Sequence, residues 1–217
     1  MRNIKEEYSA LKKEFLQNFL QLLSSSNASY DASKINQDIA ERTSINIGQK
    51  SNFYLILFPG DVPEIMEELS HYLDRKMTEE CGAKFVNIKS VREKISAAIK
   101  CRMTGVATPD AIRKIAEYNS HLTNMPLNLK ICAKTCDVIW RLAGDQSTDF
   151  NYYTKRALLL PVYMRAISIY CQDPVNDYTK TAVFVKNALD KVVNIASLKH
   201  RIKLPKKEDI PILRLFL

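Results

Sequence analysis

Arg141-Leu142-Ala143-Gly144-Asp145-Gln146-Ser147-Thr148-Asp149-Phe150-Asn151-Tyr152-Tyr153-Thr154-Lys155-Arg156 joins two long apolar-periodic segments of a 217-residue chain. Gly144 reads as a left-handed stop, because only glycine takes that conformation without a Cβ clash. Ser147, Thr148 and Asp149 each offer an oxygen to the open N–H groups of a new helix. The stretch is therefore a helix end, a polar turn and a helix start. Upstream, Asn128 to Ala143 places Ile131, Thr135, Val138, Ile139 and Leu142 on one stripe beside Trp140, the sole tryptophan. Downstream, from Phe150 to about Cys171, residues Phe150, Tyr153, Ala157, Leu160, Met164 and Ile167 recur at helical spacing and are expected to face the core. Tyr152, Arg156, Leu159 and Tyr163 form a second stripe. Aromatics with an arginine have the composition of an interface hot spot. A central helix buried on both faces gives the same pattern, and composition alone favours burial. Pro161 lies inside this segment and removes a backbone donor, which predicts a kink.

The same periodicity extends outward. Glu6 to Leu23 repeats apolar residues at Leu11, Phe15, Phe19, Leu22 and Leu23, and Ser24-Ser25-Ser26-Asn27 breaks it. Asp31 and Ser33 offer a second start before Ile35, Ile39 and Ala40, a turn is expected at Thr43-Ser44, and Ile45 to Leu57 reads as a third helix. Pro63 to Met77 and Phe85 to Met103 are further helices, the latter with Val86 inward. Thr108-Pro109-Asp110 opens another, running to about His121. Pro174 to about Lys199 is the last. With only 5 glycines and no strand-like alternation, the fold class is all-α. The expected divisions are a helix-turn-helix-like domain over 1–60, a larger helical domain over 61–200 and a basic, apolar tail over 201–217.

The net charge of +8 suits an anionic membrane surface, nucleic acid or an acidic protein. Cys81, Cys101, Cys132, Cys136 and Cys171 are odd in number and scattered, which argues for a reducing compartment. Cys132 and Cys136 share a helix face without a further ligand motif, so they read as small buried hydrophobes and no metal site is assigned. His71, His121 and His200 fall in no triad or ligand spacing. No Gly-rich phosphate loop is present. No catalytic residue and no cofactor are assigned, and the chain is not read as an enzyme. No apolar run approaches the roughly 18 residues of a membrane span. Met1 to Tyr8 is charged from the start, so neither a signal peptide nor an Arg-rich presequence is expected there. The expected location is peripheral, on the cytoplasmic face of a bacterial inner membrane or, in a processed eukaryotic chain, the matrix side of the mitochondrial inner membrane.

Ala143 to Ala157 resembles the signature of the ubiquinone (coenzyme Q) biosynthesis accessory proteins. The resemblance implies a TetR-like helical bundle with an N-terminal helix-turn-helix and a C-terminal ligand-binding domain. It also implies a homodimer that binds lipid and partners the demethoxyubiquinone hydroxylase. Carried over by residue, it assigns partner binding to Ile139, Asp149, Tyr152, Tyr153 and Arg156. It assigns lipid binding to Met125 and Pro126, at the break before Asn128, and to Trp140, Leu160 and Met164. Ile39-Ala40-Glu41-Arg42-Thr43-Ser44-Ile45-Asn46 resembles the opening of a TetR recognition helix, and Phe58-Pro59 its close, about one turn late.

The expected function is non-enzymatic. The protein would hold an isoprenoid lipid, a ubiquinone precursor, or a phospholipid, and present it to the hydroxylase at an anionic membrane. The alternative is a TetR-family repressor with a lipid ligand. DNA binding is not expected, because Lys50 is the sole cation between Ile45 and Pro59, and Asp61, Glu64, Glu67 and Glu68 come directly after. Tail cations beside apolar residues suit anionic lipid.

Overall fold

The computed structural model describes residues 2–25, 32–148, 150–174 and 177–197. Among them the regular elements are helical. In order they are α1 (Arg2–Ser25), α2 (Ala32–Asn46), a 3-10 turn (Ser51–Phe53), α3 (Tyr54–Leu57), α4 (Asp61–Phe85), α5 (Val91–Thr104), α6 (Pro109–Ser120), a second 3-10 turn (Leu122–Asn124), α7 (Met125–Leu142), α8 (Phe150–Gln172) and α9 (Thr179–Ser197). The all-α expectation holds for these residues. Asp149 and the 201–217 tail lie outside the described residues, as do Asp31, His200 and the side chains of Ser33, Ile35, Phe150, Val193 and Ile195.

The chain divides into two compact units with interleaved segments, Met1–Leu73 with Ala107–Leu127, and Asp74–Val106 with Asn128–Leu217. The sequence puts its first boundary at residue 60; these units divide within α4, between Leu73 and Asp74. Nine basic and twelve acidic side chains fall in the first unit, 23 and twelve in the second, so the net charges are −3 and +11.

In the first unit α1 packs on α2 and α6. It buries Phe15, Phe19 and Leu23 of the predicted stripe together with Leu16, while Leu11 and Leu22 are only partly covered. The Thr108 hydroxyl accepts from the Ala111 N–H at 3.3 Å, and Pro109 occupies the first turn, as expected for the start of α6. The Lys114 ammonium donates to the Leu23 carbonyl at 2.7 Å and so ties off the end of α1.

Several boundaries differ from expectation. Thr43-Ser44 does not turn the chain. The Thr43 hydroxyl bonds back to the Ile39 carbonyl at 2.6 Å and Ser44 to Ala40 at 3.0 Å, so α2 continues to Asn46. The helix expected over Ile45 to Leu57 is instead a turn at Gly48, a 3-10 turn and the single-turn α3. The helix expected over Pro63 to Met77 runs on to Phe85, because Leu73, Met77, Cys81 and Phe85 extend one buried stripe. The next helix therefore starts at Val91, with the Ser90 hydroxyl accepting from the Glu93 N–H at 3.4 Å. Val86, expected inward, is exposed.

In the second unit α8 packs on α9 and α5, and α5 on α9. A buried ion pair joins the Arg102 Nε to Asp74 Oδ1 at 2.7 Å, and the Thr135 hydroxyl donates to the same carboxylate at 3.0 Å. α9 begins at Thr179 rather than Pro174; Asp177 accepts from the Thr179 N–H at 2.9 Å and marks the start. Among the described residues no helix is long and apolar enough to cross a membrane.

Candidate functional site at the α7–α8 joint

The joint begins with a helix end of the kind the sequence predicts. Gly144 has φ +94°. Its N–H bonds to the Arg141 carbonyl at 2.9 Å, and the Asp145 N–H to the Trp140 carbonyl at 2.9 Å, which is a Schellman motif. Side chains then close the turn. Asp145 Oδ1 accepts from Lys155 Nζ at 2.6 Å and from the Ser147 hydroxyl at 2.7 Å, while Oδ2 takes Arg156 Nη1 at 2.5 Å. The Lys155 ammonium also donates to Ser147 Oγ at 2.8 Å. Ser147, expected to cap α8, is thus engaged by Asp145 and Lys155.

Arg156 is the centre of this network. It is 1% exposed. Its Nε donates to Asp137 Oδ1 at 2.9 Å and its Nη1 also reaches the Tyr152 carbonyl at 3.2 Å. The guanidinium lies 3.7 Å from the centre of the Tyr152 ring. Asp137 is shared, because Arg141 Nε bonds its other oxygen at 2.7 Å. Trp140 Nε1 donates to the Lys155 carbonyl at 3.0 Å, which binds α7 to the start of α8. Burial works to raise the Asp145 pKa, but the bonds from Lys155, Ser147 and Arg156 outweigh it and hold the carboxyl well below its ordinary range. Arg141 is held cationic by its bond to the Tyr152 side chain and by Asp137.

Above this network is an open hollow of about 440 Å³, lined by Arg141, Asp145, Gln146, Ser147, Thr148, Tyr152, Tyr153 and Arg156. Tyr152 and Tyr153 meet edge to face with ring centres 5.0 Å apart. The structure thus brings Tyr152, Tyr153 and Arg156 together. It places them differently from an exposed stripe: Arg156, Leu159 and Tyr163 are buried, Tyr153 is buried, and Tyr152 is half-buried. The run Arg156, Leu159, Tyr163, Ala166 and Tyr170 forms the most deeply buried line of α8, while Ala157, Met164 and Ile167, expected inward, are intermediate. Burial of this second stripe, which composition alone favours, has a physical cause: its arginine is neutralised by two carboxylates from α7 and the turn.

Ile139 is fully buried within α7. Of the residues assigned to lipid, Trp140 and Leu160 are buried, Met164 is partly covered, and Met125 and Pro126 are exposed. Met125 and Pro126 belong to the first unit and the other three to the second. Pro126 falls in the first turn of α7, where a missing donor costs nothing, so the break is the 3-10 turn before it. Sequence reasoning missed Asp137, Asp145, Arg141 and Lys155. The available signal was a carboxylate just past a glycine stop, with two adjacent cations in the next helix.

Elsewhere in this unit burial pushes the Cys132 thiol up to about 12 and the Cys136 thiol well above its usual value. Both are therefore protonated. Among the described residues no group of three or more His, Cys, Asp or Glu is placed to hold a metal.

The stretch that carries this geometry has known relatives. Residues 125–196 match the COQ9 family model. The matched segment spans α7, α8 and nearly all of α9. The human protein named ubiquinone biosynthesis protein COQ9, mitochondrial, is 35% identical over 80 residues, covering 37% of this chain and 25% of that protein. The bovine protein of the same name gives the same identity and coverage. The Dictyostelium discoideum protein named probable ubiquinone biosynthesis protein coq9, mitochondrial, is 29% identical over 119 residues, covering 52% of this chain and 38% of that protein. The chain therefore aligns with about a quarter of the mammalian relatives' length. The resemblance read from Ala143 to Ala157 holds across the COQ9 segment that contains it.

Proposed function

We propose that this chain serves ubiquinone biosynthesis as a COQ9-like accessory protein. It holds an isoprenoid lipid and presents it to the demethoxyubiquinone hydroxylase at a membrane surface, contributing no catalytic group. The observation that carries this reading is the COQ9 match over residues 125–196, which contains the α7–α8 joint. The physical need is plain. Exposing a polyprenyl tail to water costs about 0.8 kcal/mol per CH2, so transfer from a bilayer requires a protein that shields it. The charge of +11 on the second unit suits an anionic bilayer, and the mitochondrial names of the relatives support a mitochondrial location. A TetR-like arrangement and a homodimer belong to the same reading.

Repression of transcription is the weaker reading. The unit with the helix-turn-helix pattern has a net charge of −3, and residues 51–57 contain no lysine or arginine. Groove reading needs a helix with donors for base edges and cations for phosphates.

Native mass spectrometry of the full chain, with extraction of bound lipid, tests the lipid half. A co-purifying isoprenoid is expected; a protein that stays empty and instead binds duplex DNA at physiological salt overturns the reading. Capture of the purified hydroxylase tests the other half. Tyr152→Lys is the informative variant, because Tyr153 is buried and its replacement by lysine would also unsettle the fold.

A further inference from the structure

We propose that the hollow at the α7–α8 joint receives an acidic side chain of the protein partner, gripped by the Arg141 guanidinium and the Tyr152 hydroxyl. The inference rests on the reading that this joint docks a protein, and adds which residues make the contact and what they contact.

The network sorts its cations by availability. Arg156 is 1% exposed, with donors directed to Asp137, Asp145 and the Tyr152 carbonyl. Lys155 is engaged by Asp145 and Ser147. Neither presents a free charge to an incoming surface. The Arg141 side chain is 67% exposed and commits its Nε to Asp137. The rest of its planar fork lines the hollow and bonds the Tyr152 side chain, which leaves three of its five N–H donors beyond those given to Asp137 and Tyr152. An arginine fork matches a carboxylate through two parallel N–H···O bonds, a geometry that lysine lacks.

The aspartates are also accounted for. Asp137 is bonded by Arg141 and Arg156, and Asp145 by Lys155, Ser147 and Arg156, so both are compensated and oppose an entering carboxylate weakly. Gln146 and Thr148 are exposed on the rim and supply polar contacts. The half-buried Tyr152 ring, fixed against Arg156, supplies the apolar wall. The +11 charge of this unit steers an acidic surface towards it. This arrangement makes Arg141, outside the set carried over from the family, the first contact.

The test is binding of the purified full chain to the purified demethoxyubiquinone hydroxylase of the same source, measured by calorimetry at two salt concentrations. Arg141→Gln and Tyr152→Phe are each expected to weaken Kd about tenfold. Arg141→Gln should also flatten the salt dependence while leaving the melting temperature near that of the unaltered chain. Lys100→Gln removes the same charge from the exposed face of α5 and should leave Kd within about twofold. If Arg141→Gln changes Kd no more than Lys100→Gln does, the acidic-side-chain pocket is overturned and the partner reading survives. If the unaltered chain does not bind the hydroxylase, both are overturned.

Discussion

The α2–α3 joint and the α7–α8 joint stop their first helices with the same backbone. Gly48 has φ +77° and Gly144 φ +94°. At each, the glycine N–H bonds three residues back and the next N–H five residues back: Gly48 to Ile45 and Gln49 to Ser44, Gly144 to Arg141 and Asp145 to Trp140. Past the glycine the two joints diverge. After Gly48 comes Gln49, and the chain continues as a 3-10 turn and one turn of α3. After Gly144 comes Asp145, whose carboxylate is bonded by two cations of the next helix, and α8 runs 23 residues. A helix stop is a backbone event that one glycine determines. The order beyond it depends on side chains that tie the turn to the next element.

Removing the tie should erase most of this difference. Arg156→Met should destabilise the fold by about 3 kcal/mol, the lower end for breaking a buried pair, because Asp137 keeps Arg141 and Asp145 keeps Lys155. The melting temperature should fall by roughly 6–12 °C for a chain of this size. A fall below about 2 °C would show that the two joints are equally loose. Acid should act on the same tie. The folded Asp145 carboxyl is depressed, so its contribution is complete above the ordinary carboxylate range and is lost as pH falls below about 4. The stability gap between the unaltered chain and Asp145→Asn should be constant near neutrality and narrow in acid. A gap unchanged by pH would mean that the charge of Asp145 does not stabilise the joint.

These joints also mark what the sequence makes legible. Gly144 is readable as a stop because polar residues succeed it and a long apolar period resumes. Gly48 has the same geometry, yet the Thr43-Ser44 pair before it resembles a turn and draws the boundary forward. The hydroxyls bond to carbonyls one turn back and leave the helix intact, a choice that composition does not reveal. The existence of the helices and the stripe of α1 are readable from local periodicity, and the start of α6 from its capping residues. The burial of Arg156 is not, since it depends on Asp137 and Asp145, 19 and 11 residues away, converging on one guanidinium. The family resemblance locates the joint, but the docking role it assigns to Arg156 falls on a side chain that the turn encloses.

The smaller effects test the looser joint. The Ser44 hydroxyl accepts from the Tyr54 N–H at 3.1 Å, a buried bond that connects the end of α2 to the first residue of α3. Ser44→Ala leaves that N–H without this acceptor and should cost about 1–2 kcal/mol in urea unfolding.

The two glycines then give the finest contrast. A Cβ added at either would meet nothing within 4 Å, so an alanine tests conformation alone. A left-handed alanine costs about 1–2 kcal/mol, offset by roughly 0.4–1 kcal/mol from a less flexible unfolded chain. At Gly144 the turn is clamped by Asp145, Lys155 and Arg156 and cannot relax, so Gly144→Ala should show the whole difference, about 1 kcal/mol. At Gly48 the next residues carry no such clamp, the turn can shift, and Gly48→Ala should cost about half as much. Equal costs would show that the short α3 segment is held as firmly as the start of α8. The ion pairs would then set what the α7–α8 joint presents at its surface without setting how rigid it is.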